Sequence, residues 1–564
     1  MNPLDWLVLL GTMLGIAAFG MWRTRGKRDL DHYLKGDHNT SWIVIGLSVM
    51  ATQASAVTFL STPGQGFHDG LGFVQNYFGA PIALMIIAAV FLPIYRKLNV
   101  YTAYEYLGQR FDTKTRLLAA GLFLFQRGIG AGITVYAPAI VLSSVLGWNL
   151  DLTIALSGLV VIIYTVKGGS QAVTLTQKYQ FIVIMAGMIT AFCILLHKMP
   201  VGLGDAMAIA GTFGKLKAVD YSMDYRQRYT LWSGLLGGMF LALSYFGCDQ
   251  TQVNRYIGAK SLRESRMGLL FNAVFKIPMQ FFILLLGCTL FVFYQFEKPP
   301  VYFGPVTWKS QAVRRSAEET WAQLHDQQQK AIQNWLDGRH AGNRAQQLDG
   351  LQTAWAARTD IEAHQNMWLK NEDASLKSNQ SDYVFITFIL AYLPHGLIGL
   401  LITVFFAATL SSKAAELNAL ASTTVVDLYR HVIRTDASDR HYVLAAKWFT
   451  VFWGVFAIVF ALLVKMAENL IQFGNIVGSL FYGVPLGLFL VAFFIKRIRG
   501  DAVFWAAVLS QAMVLLLWWF TPIGYLWFNV IGLAGCIAGA ALLQAVLGPR
   551  SAQRGFPVLP AKEA

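Results

Sequence analysis

WIVIGLSVMATQASAVTFLSTPGQG, residues 42–66, is apolar enough to cross a membrane and too interrupted to do so as one regular helix. At a rise of about 1.5 Å per residue the stretch covers the ~30 Å of hydrocarbon in a bilayer. Yet Thr52, Gln53, Ser55, Thr58, Ser61, Thr62, Pro63, Gly64 and Gly66 crowd its second half. Lipid cannot satisfy open peptide groups, so irregular backbone at membrane depth persists only where it is buried or lines a cavity. A broken membrane helix predicts a binding site beside the break.

The rest of the chain reads the same way. Of its 564 residues, 55% are hydrophobic and 13% charged, a balance no soluble core could hide. Thirteen spans fit the hydropathy, near 4–22, 42–64, 72–95, 117–147, 150–166, 171–197, 231–248, 266–294, 396–428, 441–466, 469–496, 502–520 and 524–547. The first carries its positive charges, Arg23, Arg25, Lys27 and Arg28, after the apolar run, so it reads as a retained span and not a cleaved leader. The formal charge of +14 comes from lysines and arginines that sit mostly in short loops at membrane boundaries, which argues for orientation and against nucleic acid. Placing the amino terminus outside and the carboxyl terminus in the cytoplasm of a cell with an inner membrane puts nearly every such cluster on the cytoplasmic side. Cys193, Cys248, Cys288 and Cys536 have no near neighbour at metal or redox spacing and are expected as free thiols.

The ten spans from about 42 to 496 divide into two units of five, and an odd count makes the second unit enter the membrane from the opposite side. The first span of the second unit is broken like that of the first, by Gly234, Gly237, Gly238, Ser244 and Gly247. The expected fold is an all-α polytopic membrane protein with about 13 transmembrane helices in a five-plus-five inverted repeat with discontinuous helices. Its parts are an extra span and basic loop (1–40), the first repeat (41–230), the start of the second (231–295), a polar helical insertion outside the membrane (296–382), the rest of the second repeat (383–500), and two last spans with a short tail (501–564). The insertion reads as a helical cap, since so short a segment builds only a small core.

Sodium wants several oxygen ligands, which a helix supplies from hydroxyls or from carbonyls freed where it unwinds. Ala408, Ser411 and Ser412 stand at i, i+3 and i+4 and share one face. Membrane serines also serve simply to bond the carbonyl one turn back. Lys413 and Lys178 are costly inside a membrane, and Lys413 has Glu416 three residues on as an intrahelical partner. Arg127 lies near mid-membrane in span four, where a guanidinium suits a carboxylate, either a solute's or the protein's own. Lys276, similarly deep in span eight, is a second candidate.

SAVTFLSTPGQGF at 55–67, DQTQVNRYIGAKSL at 249–262 and ATLSSKAAELNALASTTVVDLY at 408–429 together resemble the sodium:solute symporter family, over about residues 5–545 apart from the insertion. The resemblance implies sodium-driven import of a small solute by alternating access across the bilayer. It implies a sodium site formed by the carbonyls of Ala51, Ala54 and Ala408 with the hydroxyls of Ser411 and Ser412. It also implies solute contacts at Ser55 and Thr58, with Gln53, Phe73, Gln75, Asn76 and Tyr245 as further candidates, and Arg127 suggests an organic acid or sugar acid. Each could equally be a satisfied polar residue between helices. Some relatives hold a second sodium with an aspartate in a TD pair, where GGSQAVTLTQKYQ here has Gln177, and a helper hydroxyl is replaced by Ala414. One sodium per cycle is therefore expected, with Lys413 as a tethered stand-in for the second charge. The rivals are a proton-coupled symporter of the same fold, and more remotely a membrane enzyme or sensor. No carboxylate or histidine cluster at catalytic spacing supports an enzyme. Oligomeric state is not encoded in these features.

Overall fold

The computed structural model describes residues 2–23, 41–53, 55–98, 102–257, 259–304, 310–372, 380–463 and 469–548. All thirteen expected spans fall on helices. Nine helices among the described residues are long and apolar enough to cross a membrane, and Pro3–Thr12, Trp42–Gln53, Leu150–Val166, Ser233–Gly247 and Ser381–Tyr392 are shorter apolar ones. The basic cluster after Arg23 and the tail beyond Gly548 lie outside the described residues.

Helix α1 spans Pro3–Arg23, and the broken span is α2 (Trp42–Gln53) followed by α3 (Ala56–Asp69). Between them Ser55 is extended, at φ −73° and ψ 175°. Thr58 Oγ1 donates to the Gln53 carbonyl at 2.7 Å, so one freed carbonyl is answered by a hydroxyl of the stretch that broke the helix. Beyond α3 the chain turns back through a 3₁₀ stretch, Gly70–Tyr77, and a helical run to Leu98 that includes a π-helical turn at Ile87–Phe91. The glycines of α3 serve packing as well as the break. A Cβ at Gly64 would collide with the Ser381 backbone, and one at Gly66 with the Leu284 carbonyl on the facing helix.

Helix α4 (Thr113–Leu146) starts at Asp112, whose side chain accepts from Thr115 N at 2.8 Å, and stops at Gly147 with φ 69°. A single helix, α5 (Leu150–Lys198), covers spans five and six, where the sequence suggests two. A glycine costs a helix only about 1 kcal/mol, so Gly168 and Gly169 do not by themselves end it.

The second broken span is a π-helical turn (Ser233–Gly237), α6 (Gly238–Gly247) and α7 (Gln250–Ile257), parted at Cys248 and Asp249. Then come α8 (Leu262–Phe296), α9 (Gln311–His340), α10 (Arg344–Glu372), α11 (Ser381–Tyr392) and α12 (Leu397–Thr423), which runs on as a π-helical stretch to Ile433. Four further helices complete the chain: α13 (Asp439–Leu463), α14 (Leu470–Phe494), α15 (Gly500–Phe520) and α16 (Trp527–Leu547). Helix α12 is buried along nearly its whole length, whereas α13, α15 and α16 present Trp448, Phe452, Leu516, Leu542 and Val546 outward, as lipid-facing helices do.

The polar insertion is a hairpin of α9 and α10. It docks on the end of α8 through an apolar cluster that joins Ile332, Trp335 and Leu336 to Phe213, Phe291 and Val292. Trp321 Nε1 donates to Pro299 O and Gln365 Nε2 to Val301 O, both at 2.8 Å, and Arg358 lies 4.9 Å from the Phe291 ring centroid. His325, which is 3% exposed, meets the Tyr294 carbonyl at 3.1 Å, and burial holds its pKa below the usual histidine value. Helix α11 is an element the hydropathy reading passed over, because twelve residues are too few to span a bilayer.

Candidate sodium and solute site

Ser411 and Ser412 are buried on α12, and their hydroxyls reach two different neighbours. Ser412 Oγ donates to the Thr52 carbonyl at 3.2 Å, at the frayed end of α2. Ser411 Oγ lies 3.0 Å from the Ala408 carbonyl and 2.9 Å from Gln180 Oε1 on α5. Ser412 thus joins α12 to the end of α2, while Ser411 and the Ala408 carbonyl face Gln180 on α5, and all of these are hard oxygen donors without a formal charge. Ala51 is buried in the last turn of α2, while Ala54 lies outside the described residues.

A cavity of about 210 Å³ adjoins this cluster. Gln53, Ser55, Thr58, Asn76, Arg127, Tyr245, Ser412 and Glu416 all line it. Phe73 and Gln75 do not. The Phe73 ring packs edge-on against Tyr77 and Tyr229, and Gln75 is consumed by the carbonyls of Gly72 and Tyr229 and by the Asp220 amide. In this structure both side chains are engaged by the protein itself, outside the cavity wall.

Arg127 is held by the protein itself. Its Nη1 donates to Glu416 Oε1 at 3.0 Å, and its Nη2 bonds both Asp249 Oδ2 and, at 2.9 Å, the Tyr482 hydroxyl. Asp249 sits at the break between α6 and α7, so Arg127 ties α4 to both the second broken helix and α12. A guanidinium already carrying two carboxylates is poorly placed to capture a third. Lys413 Nζ bonds the Ala131 carbonyl and lies 3.4 Å from Glu416 Oε2. Two cations and two carboxylates balance within this network.

Lys413 accordingly turns toward α4 and not toward Gln177. The cation beside Gln177 is Arg255, whose Nη1 lies 2.9 Å from Gln177 Oε1 and also bonds Ser48 Oγ. Nothing is described of the Lys178 side chain.

Lys276 is the exception to the balance. It lines the cavity, is 5% exposed, and stands 4.9 Å from the centroid of the Tyr77 ring, with no carboxylate in ion-pair range among the described residues. Nearby, Asn76 Oδ1 and Asn272 Oδ1 are buried cavity-wall acceptors without a partner. Sequence reasoning named Ser411 and Arg127 but missed their partners Gln180, Asp249 and Tyr482, and it missed Arg255 as the partner of Gln177. The quoted DQTQVNRYIGAKSL motif contains two of these, and an acid two residues after Gly247 was the available signal.

A chain built from two broken-helix units around a midplane cavity is a secondary transporter by architecture. The sodium:solute symporter family profile matches residues 33–311 and 364–510, and the chain belongs to that family. The unmatched stretch between these segments lies within the α9–α10 hairpin. The human sodium/iodide cotransporter is 28% identical over 54% of this chain, and the match covers 47% of its own length. The sodium/sialic acid symporter SiaT of Proteus mirabilis is 24% identical, over 97% of this chain and 96% of that one. A solved sodium-coupled sialic acid symporter, substrate-bound and outward-open, superposes with a TM-score of 0.73 over 97% of this chain and 99% of its own, at 22% identity, which shows a shared fold. These relatives are transporters and not enzymes.

Proposed function

We propose that the protein imports a small organic anion across the inner membrane, drawing on one sodium ion per cycle, with its amino terminus outside and its carboxyl terminus in the cytoplasm. The observation that carries sodium coupling is the Ser412 hydroxyl against the Thr52 carbonyl at the edge of the solute cavity. An ion held there, by Ser411, Ser412 and the carbonyls of Ala51, Ala54 and Ala408, would brace the unwound stretch that also offers Ser55 and Thr58 to the solute. Such coupling needs the ion to bind one conformation better than the other, and shifting α12 away from α2 would separate the donors. A single sodium is supported by the Arg255 guanidinium on Gln177, since a fixed positive charge repels a second cation.

The anion reading rests on Lys276. A buried ammonium without a carboxylate is expensive, and a solute carboxylate would neutralise it. Apolar walls from Ile133, Leu241, Phe246 and Ile471 suit an organic body behind that charge. Two of the relatives are named for anions, one of them the organic acid sialic acid and the other iodide.

A thermal-shift panel of organic acids, sugars, amino acids and vitamins, each with and without sodium, tests this reading. A ligand at one hundred times its dissociation constant adds about 2.7 kcal/mol to the folded state. Organic acids should stabilise the protein only when sodium is present. Stabilisation by neutral sugars, and not by acids, would count against the anion.

A further inference from the structure

A second cavity lies on the far side of α12, bounded by α1, α4, α5 and α12. Its volume is about 330 Å³, larger than the solute cavity, and Leu9, Leu142, Val160 and Phe406 form its walls. Among the described residues only two hydroxyls line it, and both are spent on their own helices. Ser157 Oγ donates to Ile154 O at 3.1 Å, and Thr409 Oγ1 to Phe405 O at 2.9 Å. Water would find no partner there, and apolar cavities of even about 150 Å³ stay dry and take up apolar guests.

Three features define the occupant. The cavity is continuous with a strip of α5 that faces lipid, where Leu152, Leu159 and Ile163 are about half exposed and Val160 itself is 47% exposed. Trp6 and Trp148 stand at one end, the position of interfacial tryptophans, so the space runs inward from a headgroup layer. The third wall is fixed. Asp5 accepts from Gly396 N at 2.6 Å at the start of α12 and contacts His395 Nδ1 at 2.9 Å, pinning the start of α1 to the start of α12.

We infer that this cavity is a binding site for one acyl chain of a membrane phospholipid from the leaflet in which α1 begins. At the helical repeat its wall on α12, formed by Ile402, Phe406, Thr409 and Leu410, lies about 150° from the face bearing Ala408, Ser411 and Ser412. An acyl chain seated there backs the sodium-site helix from behind, so its occupancy bears on how firmly the serine pair is presented.

The site is tested in vesicles of phosphatidylcholine doped with a lipid carrying a diazirine midway along one acyl chain. After photolysis of the full-length protein, peptides of α4 and α12 that line the cavity should be labelled, and labelling should saturate as the doped fraction rises. Labelling at Leu516, on an open face, should rise in proportion instead. Val160→Trp, which fills the opening, should cut cavity labelling at least fivefold and leave Leu516 unchanged. Cavity labelling that rises in simple proportion in the unmodified protein, or survives Val160→Trp in a protein that still elutes as a folded species, would overturn the site.

Discussion

Arg127 and Glu416, 289 positions apart, meet at 3.0 Å on the wall of the solute cavity, and the same guanidinium holds Asp249 at the second helix break. One side chain therefore joins the scaffold of α4 and α12 to the broken helix that must move in any alternating-access cycle. Removing one member of a buried ion pair leaves the other uncompensated, at about 3–5 kcal/mol. Arg127→Met should be destabilised by that order in thermal unfolding. Asp249→Asn should cost less, because Arg127 keeps Glu416. Equal, negligible losses for both would mean the pairs do not form.

Lys413→Met should leave a sodium dependence that still fits one ion per cycle. The lysine faces the Ala131 carbonyl and Glu416, and the position next to Gln177 belongs to Arg255. Sodium titrations of uptake for Lys413→Met and Arg255→Gln separate the two. A changed stoichiometry in the first, with none in the second, would restore the tethered role to Lys413.

Much of this was legible in the sequence, and the exceptions share a cause. Apolar length located the spans, and the cluster from Thr52 to Gly66 located the break, because both are local properties of the chain. Ser411 and Ser412 share a face by helical spacing, and the family resemblance marked them as sodium ligands. Arg127 was visible as a costly charge, but its partners come from Asp249 and Glu416, which only tertiary packing brings to it. Gln75 and Phe73 were named from the family resemblance, yet a position in a motif does not say which way a side chain turns. Helix α11 fell below the length that marks a span.

Lys276→Met should raise the half-saturating concentration of an organic acid by at least tenfold, equivalent to about 1.4 kcal/mol. Lys276→Arg should recover part of that loss, since the charge is kept. Uptake kinetics for the three forms provide the check, and an unaltered acid affinity in Lys276→Met would remove the lysine from the solute site.

The α9–α10 hairpin should loosen in acid. The unfolded chain takes up a proton on His325 near pH 6.5, whereas the buried ring does so only at lower pH. Stability from this group is therefore complete above about pH 6.5 and falls as pH drops toward the lowered folded value. Limited proteolysis of the hairpin at about pH 5 and about pH 7.5 should show faster cleavage in acid, and His325→Gln should remove most of that difference. Equal sensitivity in both proteins would place the acid effect elsewhere.

The most direct measurement is uptake into proteoliposomes with sodium and pH gradients imposed one at a time. An inward sodium gradient alone should drive accumulation of an organic acid, and Ser412→Ala should shift its sodium dependence about tenfold, as the loss of one ligand worth ~1.4 kcal/mol requires. Accumulation driven by a proton gradient without sodium, and indifferent to Ser412→Ala, would contradict the account.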